Sequence, residues 1–257
     1  MSPQLNVQPV VGRGFAVAIH LGATLLIAGF AATLVFGVWY PYPYRSISGG
    51  LELFALVVGV DLVIGPMLTA VVFNPAKTRA HLKRDLSVIV VLQACFLAYG
   101  VHTVFAARPV YMVHEVDRFR VVSAADLDPE DLALAADPYK RLPLFGPKLI
   151  GTRVSEPGPE QLKSLMLALE GKDISRRPSY YREYQLSRAD VLSRARSISS
   201  LFEKFPDRQD DLHVAIASTG RGEGKLRYLP LVARQQWVAF VDEQTAEILG
   251  YAPFDGF

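Results

Sequence analysis

The chain has 257 residues, 51% of them hydrophobic, and a formal net charge of +2 from 27 Lys/Arg and 25 Asp/Glu. So even a balance, with no clustered basic face beyond one short loop, argues against a nucleic-acid partner. The single cysteine, Cys95, lies in an apolar run and can make neither an internal disulfide nor a cysteine metal site.

The charges are unevenly placed. Residues 1–107 carry six Lys/Arg and three Asp/Glu, and residues 108–257 carry twenty-one and twenty-two. The first part therefore reads as an α-helical membrane region. The second reads as a soluble α+β domain with a mostly antiparallel sheet.

After a short N-terminus (1–13), residues 14–39 form the first apolar segment. It is too long for the apolar core of a signal peptide and is followed by two more apolar runs, so an uncleaved helix is expected. Its small residues, among them Gly22, Ala23, Gly29 and Ala32, permit close helix packing. The loop YPYPYRSISGG follows at 40–50. Its prolines bar helix continuation, and Tyr40, Tyr42 and Tyr44, with Trp39, sit where an interfacial aromatic belt belongs. These tyrosines are read as a membrane anchor or as a small rigid platform for a partner.

The second span, 51–73, is almost unbroken apolar sequence from Leu53 to Phe73, with one ionisable residue, Asp61, close to the centre of that run. About 20 helical residues cross a hydrocarbon core of roughly 30 Å, and a carboxylate in mid-span costs roughly 2.5–3.5 kcal/mol on insertion scales. Pro66 follows one turn later and cannot donate to the carbonyl of Leu62, which predicts a kink beside the acid. The loop 76–85 holds Lys77, Arg79, Lys83 and Arg84 against Asp85, marking it as cytoplasmic. The third span is expected over 86–107. Three spans then put the N-terminus inside and residues 108–257 outside, in the periplasm of a bacterium. Counting depth from the cytoplasmic ends places Ala98 and Tyr99 level with Asp61, so Tyr99 is the expected partner of Asp61. By the same count Gln93 lies low, His102 high, and His20 near the cytoplasmic face, with hydrogen-bonding roles for the histidines.

In the soluble part, 110–116 and 119–125 predict a hairpin turning at Asp117-Arg118. A proline-bounded helical turn falls within 126–139, a strand at 148–154, and a helix opening at Pro159 with Leu162, Leu165, Met166 and Leu169 at helical spacing. Residues 186–205 predict one long helix with Ser187 as its cap and Val191, Ile198, Leu201 and Phe202 inward. KLRYLPLVARQQ and WVAFVDEQTAEILGY predict closing strands, the last a hairpin turning at Asp242–Thr245.

Motifs for catalysis and cofactors are missing. GRGEGK at 220–225 lacks phosphate-loop spacing, and there is no GxSxG, HExxH or CxxC. A lone intramembrane aspartate cannot form the proton-sharing pair of an aspartyl protease. His114, Glu115 and Asp117 on one strand are weak metal evidence. The expectation is a protein that is not an enzyme and holds no cofactor and no metal.

The run Val38 to Leu127 resembles the TfpX/TfpZ (FimB-like) family of type IV pilin accessory proteins. The resemblance rests on Trp39–Tyr44, Gly49-Gly50, Gly59-Val60-Asp61, Gly65-Pro66, Phe73-Asn74-Pro75-Ala76-Lys77, Arg84-Asp85-Leu86, Arg108-Pro109-Val110-Tyr111 and Glu115–Phe119. The closing LRYLPLV and Asp255-Gly256-Phe257 also match. The resemblance implies a multi-pass inner-membrane protein of a Gram-negative bacterium, tied to a particular major pilin and needed for its level or assembly. It assigns no functional residues. Pilin subunits wait in the membrane as single helices topped by a globular head, which suggests a client-binding role for Asp61, Pro66 and Tyr99, with Tyr40, Tyr42 and Tyr44 at the loop. Membrane lipid is a further partner, and other pilus assembly proteins are possible ones. The competing readings are a periplasmic sensor that modulates pilus dynamics and a small transporter component.

Overall fold

A computed structural model describes residues 12–257. The expected N-terminal segment 1–13 falls outside those residues, save Gly12 and Arg13. Two compact units partition the chain: Leu51–Val104 with the described residues up to Val35, and Phe36–Gly50 with Phe105–Phe257.

The first helices in chain order are α1 (Arg13–Leu34), prolonged by π-helical Val35–Trp39, the short α2 (Tyr44–Ile47), α3 (Gly50–Val72) and α4 (Arg79–Ala106). The extended α1, α3 and α4 have 27, 23 and 28 residues and are long and apolar enough to cross a membrane. They turn Leu26, Phe30, Leu56, Val71 and Val91 outward, as helices solvated by lipid do. α4 begins seven residues before the expected 86, so Arg79, Lys83 and Arg84 of the basic loop are helical. Thr78 starts it: its hydroxyl accepts from the His81 N–H at 3.4 Å and its carbonyl from the Leu82 N–H at 3.0 Å. α3 continues through Pro66 to Val72 as one helix. Close approach of α3 and α4 depends on Gly100, where an added Cβ would run into the Val57 side chain.

The second unit is built on an eight-stranded sheet. Its strands are β1 (Pro109–Glu115), β2 (Arg118–Ser123), β3 (Lys148–Thr152), β4 (Tyr181–Glu183), β5 (Arg196–Ser197), β6 (Leu226–Val232), β7 (Gln236–Asp242) and β8 (Ile248–Ala252). The order is β4-β3-β1-β2-β6-β7-β8, with β5 also paired to β6. The sheet is mixed, which corrects the expected mostly antiparallel arrangement: β1 pairs with β3, and β2 with β6, in parallel. Each parallel pair closes a long connection that carries the chain back past the β1–β2 hairpin. The hairpin forms, but it turns at Val116-Asp117, one residue before the expected Asp117-Arg118, with Val116 in the left-handed region (φ 53°) and Arg118 already paired to Glu115. β1 is buried along its whole length, as a central strand covered on both faces must be.

The helices of this unit are α5 (Pro129–Leu134), α6 (Pro159–Leu169), α7 (Arg188–Arg194), α8 (Ile198–Lys204) and α9 (Gln209–Ser218). The single helix expected over 186–205 is broken. Arg196 and Ser197 leave helical geometry to pair with Tyr228 and Arg227 of β6, because sheet pairing outweighs local helix propensity. Val191, Ile198 and Leu201 are nevertheless buried. Ser187 stands at the N-cap position of α7 as expected, but its hydroxyl makes no capping bond and instead accepts from Arg182 Nε at 3.0 Å. α6 begins at Pro159 as predicted, but it is turned over. Leu162, Leu165, Met166 and Leu169 are exposed, while Ser164 is buried beside Ser155 Oγ (2.8 Å), Arg177 Nη1 (2.8 Å) and Tyr180 Oη (3.1 Å).

The loop 36–50 belongs to this unit's core. Ile47 is fully buried among Met112, Phe119, Leu229 and Leu231, and Tyr44 packs against the same cluster. The Gly146 N–H donates to the Val38 carbonyl at 2.8 Å, and the Trp39 and Phe105 rings lie 4.9 Å apart.

Candidate functional site

Asp61, Gly65 and Thr69 are spaced by four residues on α3 and so share one face. All three are buried, Asp61 with 7% exposure. That face borders a cavity of about 570 Å³ between α1, α3 and α4. Its wall is largely apolar and includes the small residues Ala16, Ala23, Ala28 and Ala94. Five side chains make it polar: Asp61 and Thr69 from α3, His20 and Thr24 from α1 and Gln93 from α4.

The polar groups are held close to one another. Thr69 Oγ1 is 2.8 Å from His20 Nδ1. Gly65 leaves room for Gln93 and His20: an added Cβ would collide with the Gln93 amide and approach His20 Nε2 to 2.8 Å. At the Phe73 end of α3, Arg13 Nε donates to the Phe73 carbonyl at 3.1 Å. A wall of small residues lets a foreign helix come near, and side chains that accept and donate hydrogen bonds give that helix something polar to meet where water is scarce.

The predicted site residues divide. Asp61 is on the cavity and Pro66 is one position past Gly65 on the same helix. Tyr99 does not line it and is 73% exposed, so the expected pairing with Asp61 gives way to a wall in which Gln93 and His20 are the neighbouring polar groups. Tyr40 is 1% exposed and Tyr44 packs in the soluble core, its Oη 4.0 Å from Met112 Sδ. Burial raises the pKa of both phenols. Neither can be a membrane anchor or a partner platform, because both serve to fasten the loop to its own unit. Tyr42 alone of the three is exposed, with the Arg45 guanidinium 5.6 Å from its ring centre.

Sequence reading passed over Gly65, Thr69 and Gln93 as site residues. The four-residue spacing from Asp61 to Gly65 and Thr69 was the available signal. Gln93 carried none beyond being polar in an apolar run. His114 and Glu115 diverge on β1. Glu115 accepts from Arg120 Nε at 3.1 Å and from the Ser175 N–H at 2.9 Å, whereas the His114 ring lies edge-on to Phe119.

Comparison with known proteins agrees with the sequence pattern. Residues 8–49 match the family model described as fimbrial assembly protein FimB. Over 228 residues the chain is 31% identical to the fimbrial assembly protein of serogroup I of Dichelobacter nodosus, covering 88% of this chain and 89% of that relative. The serogroup E1 protein of the same organism is 30% identical over the same shares. The protein of serogroups C1 and C2 is 38% identical over 117 residues, which are 46% of this chain and 89% of the relative. No solved structure matches the chain significantly. The chain belongs to the FimB family of fimbrial assembly proteins.

Proposed function

We propose that this protein is an inner-membrane accessory factor in pilus biogenesis that holds the major subunit of a type IV pilus before assembly. The single observation that carries the reading is the polar-lined cavity among α1, α3 and α4. A pilin subunit waiting in the bilayer offers an apolar helix with a polar group on it. A groove of small side chains around Asp61, His20, Thr69 and Gln93 suits such a guest. Association in lipid lacks a hydrophobic drive, so close packing and polar pairs must supply the affinity.

The basic residues Lys77, Arg79, Lys83 and Arg84 favour a cytoplasmic α3–α4 connection. That orientation places residues 108–257 in the periplasm, where the head of a waiting subunit also lies. The outward leucines of α6 and the sheet edges β4 and β8 offer contacts for it. The role is assembly rather than catalysis.

The test is Asp61→Asn and Asp61→Leu in cells that make the cognate pilin, scored for pilin level and co-purification. The reading expects both substitutions to lower capture severalfold at normal abundance of this protein, and Asp61→Leu more than Asp61→Asn. Unchanged capture by both would remove Asp61 from the mechanism.

A further inference from the structure

Three arginines from separate segments of the second unit converge on one small cavity of about 300 Å³. Arg120 comes from β2, Arg176 from the turn Ile174–Arg176, and Arg234 from the turn between β6 and β7. Ser48, Ser123 and Asp126 complete the polar wall.

The one carboxylate there is already engaged. Asp126 accepts from the Ser123 N–H (2.9 Å) and hydroxyl (2.8 Å) and lies 3.5 Å from Arg176 Nη2. Arg120 is held from behind, through Nε to Glu115 at 3.1 Å and Nη2 to Asp173 at 2.9 Å. Arg176 Nη1 donates to the Gly171 carbonyl at 3.2 Å. Two further polar atoms of wall residues, Arg176 Nε and Ser48 Oγ, are buried without a hydrogen-bond partner. A buried donor without an acceptor is rare and costly. Here two such atoms belong to one cavity whose guanidinium groups outnumber its carboxylates. The missing group is an acceptor with several oxygens and negative charge.

We propose that this cavity binds a phosphate group. The planar donors of arginine match phosphate oxygens in fork geometry, and charge-assisted hydrogen bonds would satisfy the two orphaned donors. The phosphate can be carried by a phospholipid headgroup or arrive as free phosphate. In the chain, Ser48 comes two residues before α3 and Ala107 directly follows α4. Both wall positions therefore fall where two membrane-crossing helices meet the headgroup region, which makes a lipid an available source. This inference is independent of the groove among α1, α3 and α4.

The experiment follows the melting temperature of the full-length protein in neutral detergent as inorganic phosphate, or phosphatidylglycerol in mixed micelles, is titrated in. At least one should stabilise the protein saturably. Stabilisation by phosphatidylglycerol alone identifies the lipid as the source, by inorganic phosphate alone a soluble anion, and by both the phosphate group itself. Arg234 is exposed, and exposed substitutions usually change stability only slightly. Arg234→Gln should weaken the apparent Kd about tenfold or more, and Arg176→Gln should do the same where it folds. Arg45→Gln, an equal loss of charge at a residue that does not line the cavity, should leave it within about twofold. The proposal is overturned if neither titrant gives a saturable shift, if Arg234→Gln binds like the parent protein, or if Arg45→Gln loses as much as Arg234→Gln.

Discussion

Thr69 Oγ1 and His20 Nδ1 meet at 2.8 Å and tie α3 to α1 on the face that also carries Asp61 and Gly65. In lipid such a bond is worth about 0.6 kcal/mol on average and up to about 1.7. Thr69→Val keeps the shape and removes the hydroxyl. It should lower the stability of the helical unit by about 0.5–1.5 kcal/mol in denaturant titrations in detergent. His20→Leu should cost about as much, and the double substitution little more than either alone, since both remove one bond.

Gly100 lets α4 lie against Val57 of α3. Val is β-branched and has little freedom to turn away. Gly100→Ala should therefore destabilise the helix pair by about 1–3 kcal/mol through overpacking, and Val57→Ala in the same chain should restore most of the loss. A failure of Val57→Ala to rescue would mean that the two helices approach elsewhere.

α6 is polar inside and apolar outside, and its mutations should invert the usual rule. Leu165→Gln and Leu169→Gln should change stability by no more than about 0.5 kcal/mol, as surface substitutions do. Ser164→Leu should cost more than about 2 kcal/mol, because it removes the shared partner of Ser155, Arg177 and Tyr180 and overfills the site. Chemical denaturation of the full chain, followed by the fluorescence of Trp39 and Trp237, distinguishes the two patterns.

His114 is buried, its Nε2 has no hydrogen-bond partner, and burial pushes its pKa down from 6.5 to about 4. The unfolded chain therefore binds a proton that the native one refuses once pH falls below about 6.5. Stability should fall from that point and level off near pH 4, by about 3 kcal/mol in all. The Glu160 carboxyl, held down at about 2 chiefly by Arg153 and by the Glu156 N–H, gives up its contribution only below about pH 4.5. Melting curves of His114→Leu between pH 7 and pH 5 should be nearly flat where those of the parent protein slope.

Much of this arrangement was legible from the residues. The three spans follow from the apolar runs, although α4 starts seven residues early within the basic loop, and the β1–β2 hairpin follows from the alternation on either side of its turn. The level of α3 relative to α4 was also legible. The contacts of Gly100 with Val57 and of Gly65 with Gln93 put Asp61 within a turn of the α4 position obtained by counting. What counting could not supply was the face: Tyr99 has nearly the right height but points away. The Tyr40 and Tyr44 side chains had the composition of an aromatic belt, and only tertiary packing around Ile47 reveals them as core. The break at Arg196 and Ser197 depends on pairing with β6, some thirty residues on, which no local signal announces.

The account's central claim is that a pilin helix lies in the groove among α1, α3 and α4. A photo-crosslinking side chain at Val58 or Leu97 in the groove wall, or at outward Tyr99 as the control, in cells making the cognate pilin, tests it most directly. The account predicts pilin adducts from Val58 and Leu97 and few or none from Tyr99. No adduct from either wall position at normal protein abundance, or equal capture from Tyr99, would contradict it.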